Sequence, residues 1–180
     1  MFSTEKSVLL VIDVQGKLAD LVIDSTHLIQ HIQVLTETAN YLDIPIIYTE
    51  QVPEKIGATV DSIAKNLKDI EPITKRTFSC CGEQRFLQEL ASHKRDEIII
   101  TGIETHVCVY QTVYDLLHQN YNVKVVKDAV SSRKEKDYQT ALQQMELMGA
   151  KLTTTEMMIC ELIKGADHAR FKDIMKFLKQ

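Results

Sequence analysis

Five consecutive apolar residues, Val8-Leu9-Leu10-Val11-Ile12, stop at an acid, Asp13. A β-branched and leucine run with no polar residue alternating through it is the pattern of a strand covered on both faces, a central strand of a parallel sheet. The run Ile98-Ile99-Ile100 repeats it. Around these two runs the periodicity switches repeatedly between strand and helix. Residues 25–42 carry Leu28, Ile32, Leu35 and Ala39 on one helical stripe. Ile44 to Thr49 reads as a strand with Pro45 near its start, where a missing donor is tolerated. Residues 51–57 read as a loop, 58–67 as a short helix, and Glu71 to Thr74 as a brief strand that delivers Lys75 to its end. Phe86, Leu87 and Leu90 set a helix over 82–93. After Ile100 a short turn leads into a helix through Val109, Val113, Leu116 and Leu117. Residues 122–126 form a strand, and Ser132 to Glu135 has the spacing of a capping box that starts a helix ending at Gly149. Ala150 to Thr153 is a last short strand. Thr153 to Glu156 offers a second box before a helix over 157–163, and 167–178 is a final amphipathic helix.

Strands alternating with helices imply right-handed crossovers and helices on both faces of the sheet. The expected fold is α/β: a three-layer α/β/α, Rossmann-like sandwich with a mainly parallel sheet of about six strands. At 180 residues the chain fills one such domain over 1–180, and no repeat or Pro/Gly-rich linker divides it.

Open sheets of this kind bind ligands at the C-terminal ends of their strands. Asp13 and Lys75 each end a strand, and Cys108 sits in the first turn of the helix that follows Ile98–Ile100. The unpaired N–H groups at a helix start lower a thiol's pKa and can receive an oxyanion. Each residue taken singly has a plainer account. An Asp after a strand caps a turn, a Lys is a solvated charge, and a free Cys is a small buried hydrophobe. Three at the same kind of position argue for convergence on one edge.

Composition narrows the partners. With 21 basic and 25 acidic residues and no long block of either sign, the net charge of −4 argues against nucleic acid and anionic membrane. No apolar run approaches the roughly 20 residues that span a bilayer. The first residues, Met1 to Lys6, lack the layout of a signal peptide, and a cytoplasmic protein is expected. The four cysteines make no disulfide framework; Cys80 and Cys81 are adjacent, and without a C-x-x-C pair a thiol redox protein is disfavoured. The turn after the first strand, Asp13-Val14-Gln15-Gly16, is not a dinucleotide or Walker A loop, and no cofactor is expected. His27 and His31 lie four apart without the zincin glutamate, and read as exposed helix histidines.

Three blocks carry a family likeness: Leu10-Val11-Ile12-Asp13-Val14-Gln15, Lys75-Arg76-Thr77-Phe78-Ser79 and Gly102-Ile103-Glu104-Thr105-His106-Val107-Cys108-Val109. With Asp128 to Arg133 and Thr153 to Glu156, the chain resembles the isochorismatase-like cysteine hydrolases, closest to the isochorismatase-domain-containing subgroup. The resemblance implies a nucleophile at Cys108, a general base at Asp13 and a cation at Lys75 that holds the Asp ionised and favours the thiolate. It implies an oxyanion hole from the backbone N–H groups of Glu104 and Cys108, and a cis peptide between Ile103 and Glu104. Isochorismatases proper generally lack a cysteine at the nucleophile position, so Cys108 argues against vinyl-ether cleavage. Nicotinamidases of the superfamily bind a metal through an Asp and a His-x-His pair; here that region reads Tyr48 to Pro53 without histidine, and no metal is expected. Adjacency makes Leu18, Glu50, Gln51, Phe78, Thr105 and His106 candidates for substrate contact. His106 is not expected to be catalytic, because neighbours on a helix point different ways. The expected activity is metal-independent hydrolysis of a small amide or related C–N bond through a thioester-like intermediate. The alternative is a catalytically idle binding or assembly module. The resemblance also implies a homo-oligomer, a dimer or larger, for which the apolar stripe of the last helix is one candidate contact.

Overall fold

The computed structural model describes residues 1–178, with the following elements in chain order. They are β1 Ser7–Ile12, α1 Gly16–Leu21, α2 Ser25–Tyr41, β2 Ile46–Gln51, α3 Pro53–Ile56, α4 Asp61–Ala64 and β3 Ile73–Lys75. A 3₁₀ turn at Cys80–Gly82 leads to α5 Gln84–Ser92 and β4 Glu97–Ile103. A π turn at Thr105–Val109 leads to α6 Tyr110–His118, β5 Asn122–Ser131, α7 Glu135–Leu147, β6 Lys151–Thr153, α8 Thr155–Ile163 and α9 Phe171–Phe177. The six strands form one sheet in the order β3-β2-β1-β4-β5-β6, parallel throughout. The chain therefore winds outward from β1 in one direction, then returns to β4 on its other side. The β1/β4 boundary is the topological switch point, where such sheets open a crevice.

Alternation along the buried strands sorts side chains between two cores. Leu9, Val11, Ile99 and Ile103 pack with α2 and α8 residues such as Leu28, Ile32, Met158 and Ile159. Val8, Leu10, Ile12, Ile98 and Ile100 pack on the other face with Phe86 and Leu90 of α5, Val113 and Leu116 of α6, and Met145 of α7. Ile174 of α9 is buried in the first core, and Phe177 meets Tyr41 edge-on at 5.9 Å. The last helix thus lays its apolar stripe on α2.

Several boundaries differ from the sequence reading, each for a local reason. β2 begins at Ile46, after Pro45, and extends to Gln51. α1 has no sequence signal of its own, because its six residues begin at Gly16, which has φ +44°. The expected helix over 58–67 shrinks to α4, because Thr59 leaves it to form an antiparallel bridge with Gln15; α3 occupies part of the expected loop. β4 continues through Gly102 and Ile103, where a turn was expected, and β5 runs on to Ser131 across a register shift between Ile100 and Gly102. The capping boxes are not formed as spaced. Lys134 precedes α7 without a side-chain cap, while Ser132 is buried and bonded to His106. Thr154, not Thr153, caps α8 by accepting the Met157 N–H.

Gly102 decides how closely β4 approaches β1. Its φ is +115°, and a Cβ there would lie 2.1 Å from the Ile12 carbonyl oxygen. Only glycine fits this conformation and this contact.

Candidate active site

Register explains how residues distant in sequence meet. Ile12 pairs with Thr49 on one side and Gly102 on the other, and Gln51 pairs with Lys75. Asp13 follows directly in the left-handed region, φ 52°, a conformation Asp tolerates better than most residues. Its N–H donates to the Thr49 carbonyl, and the Val52 N–H to that of Lys75, so the three strand ends are latched by backbone bonds.

Thr49, Gln51 and Lys75 point to the sheet face that carries α5 and α6, by the period-two rule. Lys75 spans β2 to reach Asp13, its Nζ donating to Oδ2 at 2.6 Å. The ammonium also meets Gln51 Oε1 at 2.7 Å and the Phe78 and Thr77 carbonyls at 3.0 and 3.2 Å. Four acceptors surround three N–H bonds, and the side chain is fully buried. Burial works to depress the Lys75 pKa, but the Asp13 carboxylate, the nearby thiols and the hydrogen bond to Asp13 outweigh it, and the net shift is upward. Lys75 is therefore a fixed cation. The other Asp13 oxygen, Oδ1, accepts from Thr49 Oγ1 at 2.7 Å.

Cys108 closes the group from the π turn and lines the same cleft as Asp13. The Glu104 carbonyl receives the N–H groups of Val107 and Val109, which flank it. The peptide bond between Ile103 and Glu104 is cis. Burial first, and then the Asp13 charge, push the Cys108 thiol well above its ordinary value, with Lys75 opposing only in part. Desolvation and the Asp13 charge thus outweigh the helix start and Lys75, and at neutral pH the thiol keeps its proton. Cys80, buried 3.8 Å from Thr49 Oγ1, is pushed up to about 11, and Cys81 to about 12, burial being the main cause of each.

These raised values make a stability prediction. An unfolded thiol ionises near pH ~8.5, while the folded thiols still hold their protons. The folded state then binds more protons, and stability falls as pH rises. Stability contributed by Cys80 and Cys81 is complete below about pH 8.5 and lost through about 11 and about 12. Urea midpoints measured from pH 7 to 11 should decline from about pH 8.5 upward, less steeply in Cys80→Ala. Cys108 alkylation should likewise keep accelerating above neutrality; a plateau near pH 7 would contradict the neutral resting thiol.

The cleft above these groups has a volume of about 260 Å³ and is lined by Asp13, Gln15, Leu18, Gln51, Ile56, Phe78, Ile103, Glu104, Val107, Cys108 and Arg133. Of the expected contacts, Leu18, Gln51 and Phe78 line it; Glu50, Thr105 and His106 do not. Glu50 faces the opposite side of β2 from Gln51 and accepts from the Thr59 N–H and hydroxyl at 2.7 and 2.8 Å. Thr105 is fully buried beside the cleft. His106 turns to Ser132 Oγ at 3.0 Å, with Asp137 4.0 Å away, because successive residues on a helical turn diverge.

Sequence reading missed Thr49, Gln15, Ile56, Val107 and Arg133. The strand-end rule that found Asp13 would also have found Thr49. Arg133 is the larger omission, since it forks onto Glu104 from just beyond β5, with Nε to Oε1 at 2.9 Å and Nη2 to Oε2 at 3.2 Å. Burial opposes the charge on Glu104, but the hydrogen bonds and charge of Arg133 prevail and hold its carboxyl below the usual range. Among the described residues no three His, Cys, Asp or Glu side chains group as a metal centre requires, and no helix is long and apolar enough to cross a membrane.

Fold and site together define a doubly wound α/β protein whose switch-point cleft is lined by a thiol and by a carboxylate held by a buried ammonium, an assembly suited to hydrolysis. The isochorismatase domain pattern matches residues 7–157, and the chain belongs to the isochorismatase family, which supports a hydrolase-type function. Isochorismatase family protein 1B of Dictyostelium discoideum is 36% identical over 181 residues, covering 98% of this chain and 87% of that one. A structure described as MAR1 ribonuclease from Caenorhabditis elegans superposes with a TM-score of 0.94 at 40% identity, covering 99% of this chain and 92% of the other. The YcaC gene product of Escherichia coli, described as an octameric hydrolase of unknown specificity, shares the fold with a TM-score of 0.87 at 22% identity, covering 99% and 96%.

Proposed function

We propose that the protein is a metal-independent cysteine hydrolase acting on a small amide or related C–N substrate. The observation that carries this reading is one cleft lined by both Cys108 and Asp13, whose carboxylate Lys75 grips at 2.6 Å in a buried site. In the proposed step, Asp13 takes the thiol proton as Sγ bonds to the carbonyl carbon and the C=O electron pair moves onto oxygen. The backbone N–H groups of Glu104 and Cys108 receive that oxyanion. On collapse the C–N bond breaks, Asp13 gives its proton to the departing nitrogen, and a thioester stays on Cys108. Water then adds with Asp13 as base, the C–S bond breaks, and the thiol regains its proton. Lys75, with every N–H bond committed, supplies charge and no proton.

A cleft of about 260 Å³ supports a small substrate, lying below the range of about 300–1,000 Å³ usual for drug-sized ligands. The nematode neighbour is described as a ribonuclease. For this chain, the net charge of −4 favours a small molecule over a polyanion. Self-association belongs to the same reading; the E. coli neighbour is described as octameric, and Leu147 and Met157 lie exposed on the surface.

The test is a panel of small amides, hydroxamates and carbamates, with an RNA oligonucleotide as a further arm, assayed with wild type and Cys108→Ala. Turnover of a C–N substrate by wild type, lost by at least about 1,000-fold in the variant, is expected. RNA cleavage without C–N turnover, or equal activity in the variant, would overturn the reading.

A further inference from the structure

The ionic groups bordering the cleft already have counter-charges on the protein. Lys75 is buried among Asp13, Gln51 and two carbonyls. Arg133 is forked onto Glu104 through Nε and Nη2, and its backbone N–H reaches the same carboxylate at 3.2 Å. Asp137 adds negative charge beside it. Gln15 has no polar capacity to spare for a carboxylate: its amide nitrogen donates to the carbonyls of Gly57 and Gln51, and its oxygen accepts the Gln51 N–H. The remaining walls are Leu18, Ile56, Ile103, Val107 and Phe78, and Phe78 is 53% exposed at the rim, an aromatic surface with its partner side open.

Resting on the hydrolase reading above, we infer that the cleft selects uncharged substrates bearing a small apolar group, and that Glu104 sets this selectivity by occupying Arg133. A substrate carboxylate would shed its water to enter a site whose cations are already paired with carboxylates, and would face the Glu104 carboxylate. An apolar group would instead cover Phe78 and the aliphatic walls, gaining from the area removed from water. The side chain of Glu104 is a specificity-determining group that acts through Arg133; its backbone role in the proposed reaction is separate.

Alkylation of Cys108 reads this selectivity without requiring turnover. Iodoacetamide and iodoacetate are nearly the same size and differ in charge. Second-order rates at the Cys108 peptide, followed by mass spectrometry so that exposed Cys160 is counted apart, are divided by the rates for free 2-mercaptoethanol. After that division, wild type should still favour the neutral reagent at least tenfold. Glu104→Gln should lose most of that preference by freeing Arg133, and Arg133→Met should keep it. N-butyl iodoacetamide should outpace iodoacetamide in wild type and lose the advantage in Phe78→Ala. An iodoacetate rate matching iodoacetamide in wild type, or an unchanged ratio in Glu104→Gln, would overturn the inference. Selective alkylation without turnover on the amide panel would refute the hydrolase reading while leaving the selectivity intact.

Discussion

Replacing Lys75 by methionine should lower the unfolding free energy by about 3–5 kcal/mol, the usual cost of stripping one partner from a buried ion pair. Methionine keeps an apolar stem but leaves Asp13, itself only 3% exposed, with the Thr49 hydroxyl and without a cation. It also orphans the side-chain oxygen of Gln51, which accepts from Lys75. The loss should depend on pH in a defined direction. The Lys75 pKa is raised on folding, so its contribution is complete below the unfolded value of about 10.4 and fades as pH rises through the folded value. The gap between wild type and Lys75→Met in urea melts should therefore be full at pH 7 and narrow only in strong alkali. Adding Asp13→Asn should recover part of the stability, because the stranded charge is removed with its partner. A loss under about 1 kcal/mol, the scale of a surface pair, would contradict the buried pairing.

Gly102→Ala should be comparably damaging for a steric reason. At φ +115° an alanine is strained, and its Cβ would lie 2.1 Å from the Ile12 carbonyl oxygen and 2.5 Å from the Ile12 nitrogen. Backbone cannot swing away as a flexible side chain does, so β4 and β1 must separate where their ends carry Asp13 and the turn to Cys108. Strain and overpacking together predict a loss of about 4 kcal/mol, with slower Cys108 alkylation in whatever fraction folds. Gly149 provides the control, since its φ is +107° but a Cβ there meets nothing within 4 Å. Gly149→Ala should cost only the conformational part, about 1–2 kcal/mol. Equal losses at the two positions would refute the steric argument.

The parallel sheet and its functional edge were legible because the central strands are apolar on both faces and stop at polar residues. Val8–Ile12 followed by Asp13 states a strand, its burial and its ligand-binding end at once. What stayed hidden depends on contacts made after the sheet assembles. Glu50 and Gln51 are neighbours in sequence, and only the register with Lys75 tells that Gln51 turns toward the site while Glu50 turns to Thr59. Ser132 to Glu135 matches a helix-capping pattern, but burying Ser132 under His106 removes it from that use. Arg133 meets Glu104 across two strands that no local signal links. The state of Cys108 escapes a sequence reading because a helix start favours a thiolate, whereas burial beside a carboxylate, invisible until the site is built, favours the thiol more.

The claim on which the rest depends is that Cys108 attacks as a thiol relieved of its proton by Asp13 and carries the acyl group. Rapid-quench peptide mass spectrometry on a turned-over amide tests it most directly. Within one turnover the Cys108 peptide should gain the mass of the acyl group, with ammonia or amine released at the same rate, and Asp13→Asn should abolish that gain while Cys108 stays present and alkylatable. Release of the amine with no mass added to Cys108 at any time, or an undiminished adduct in Asp13→Asn, would contradict the account.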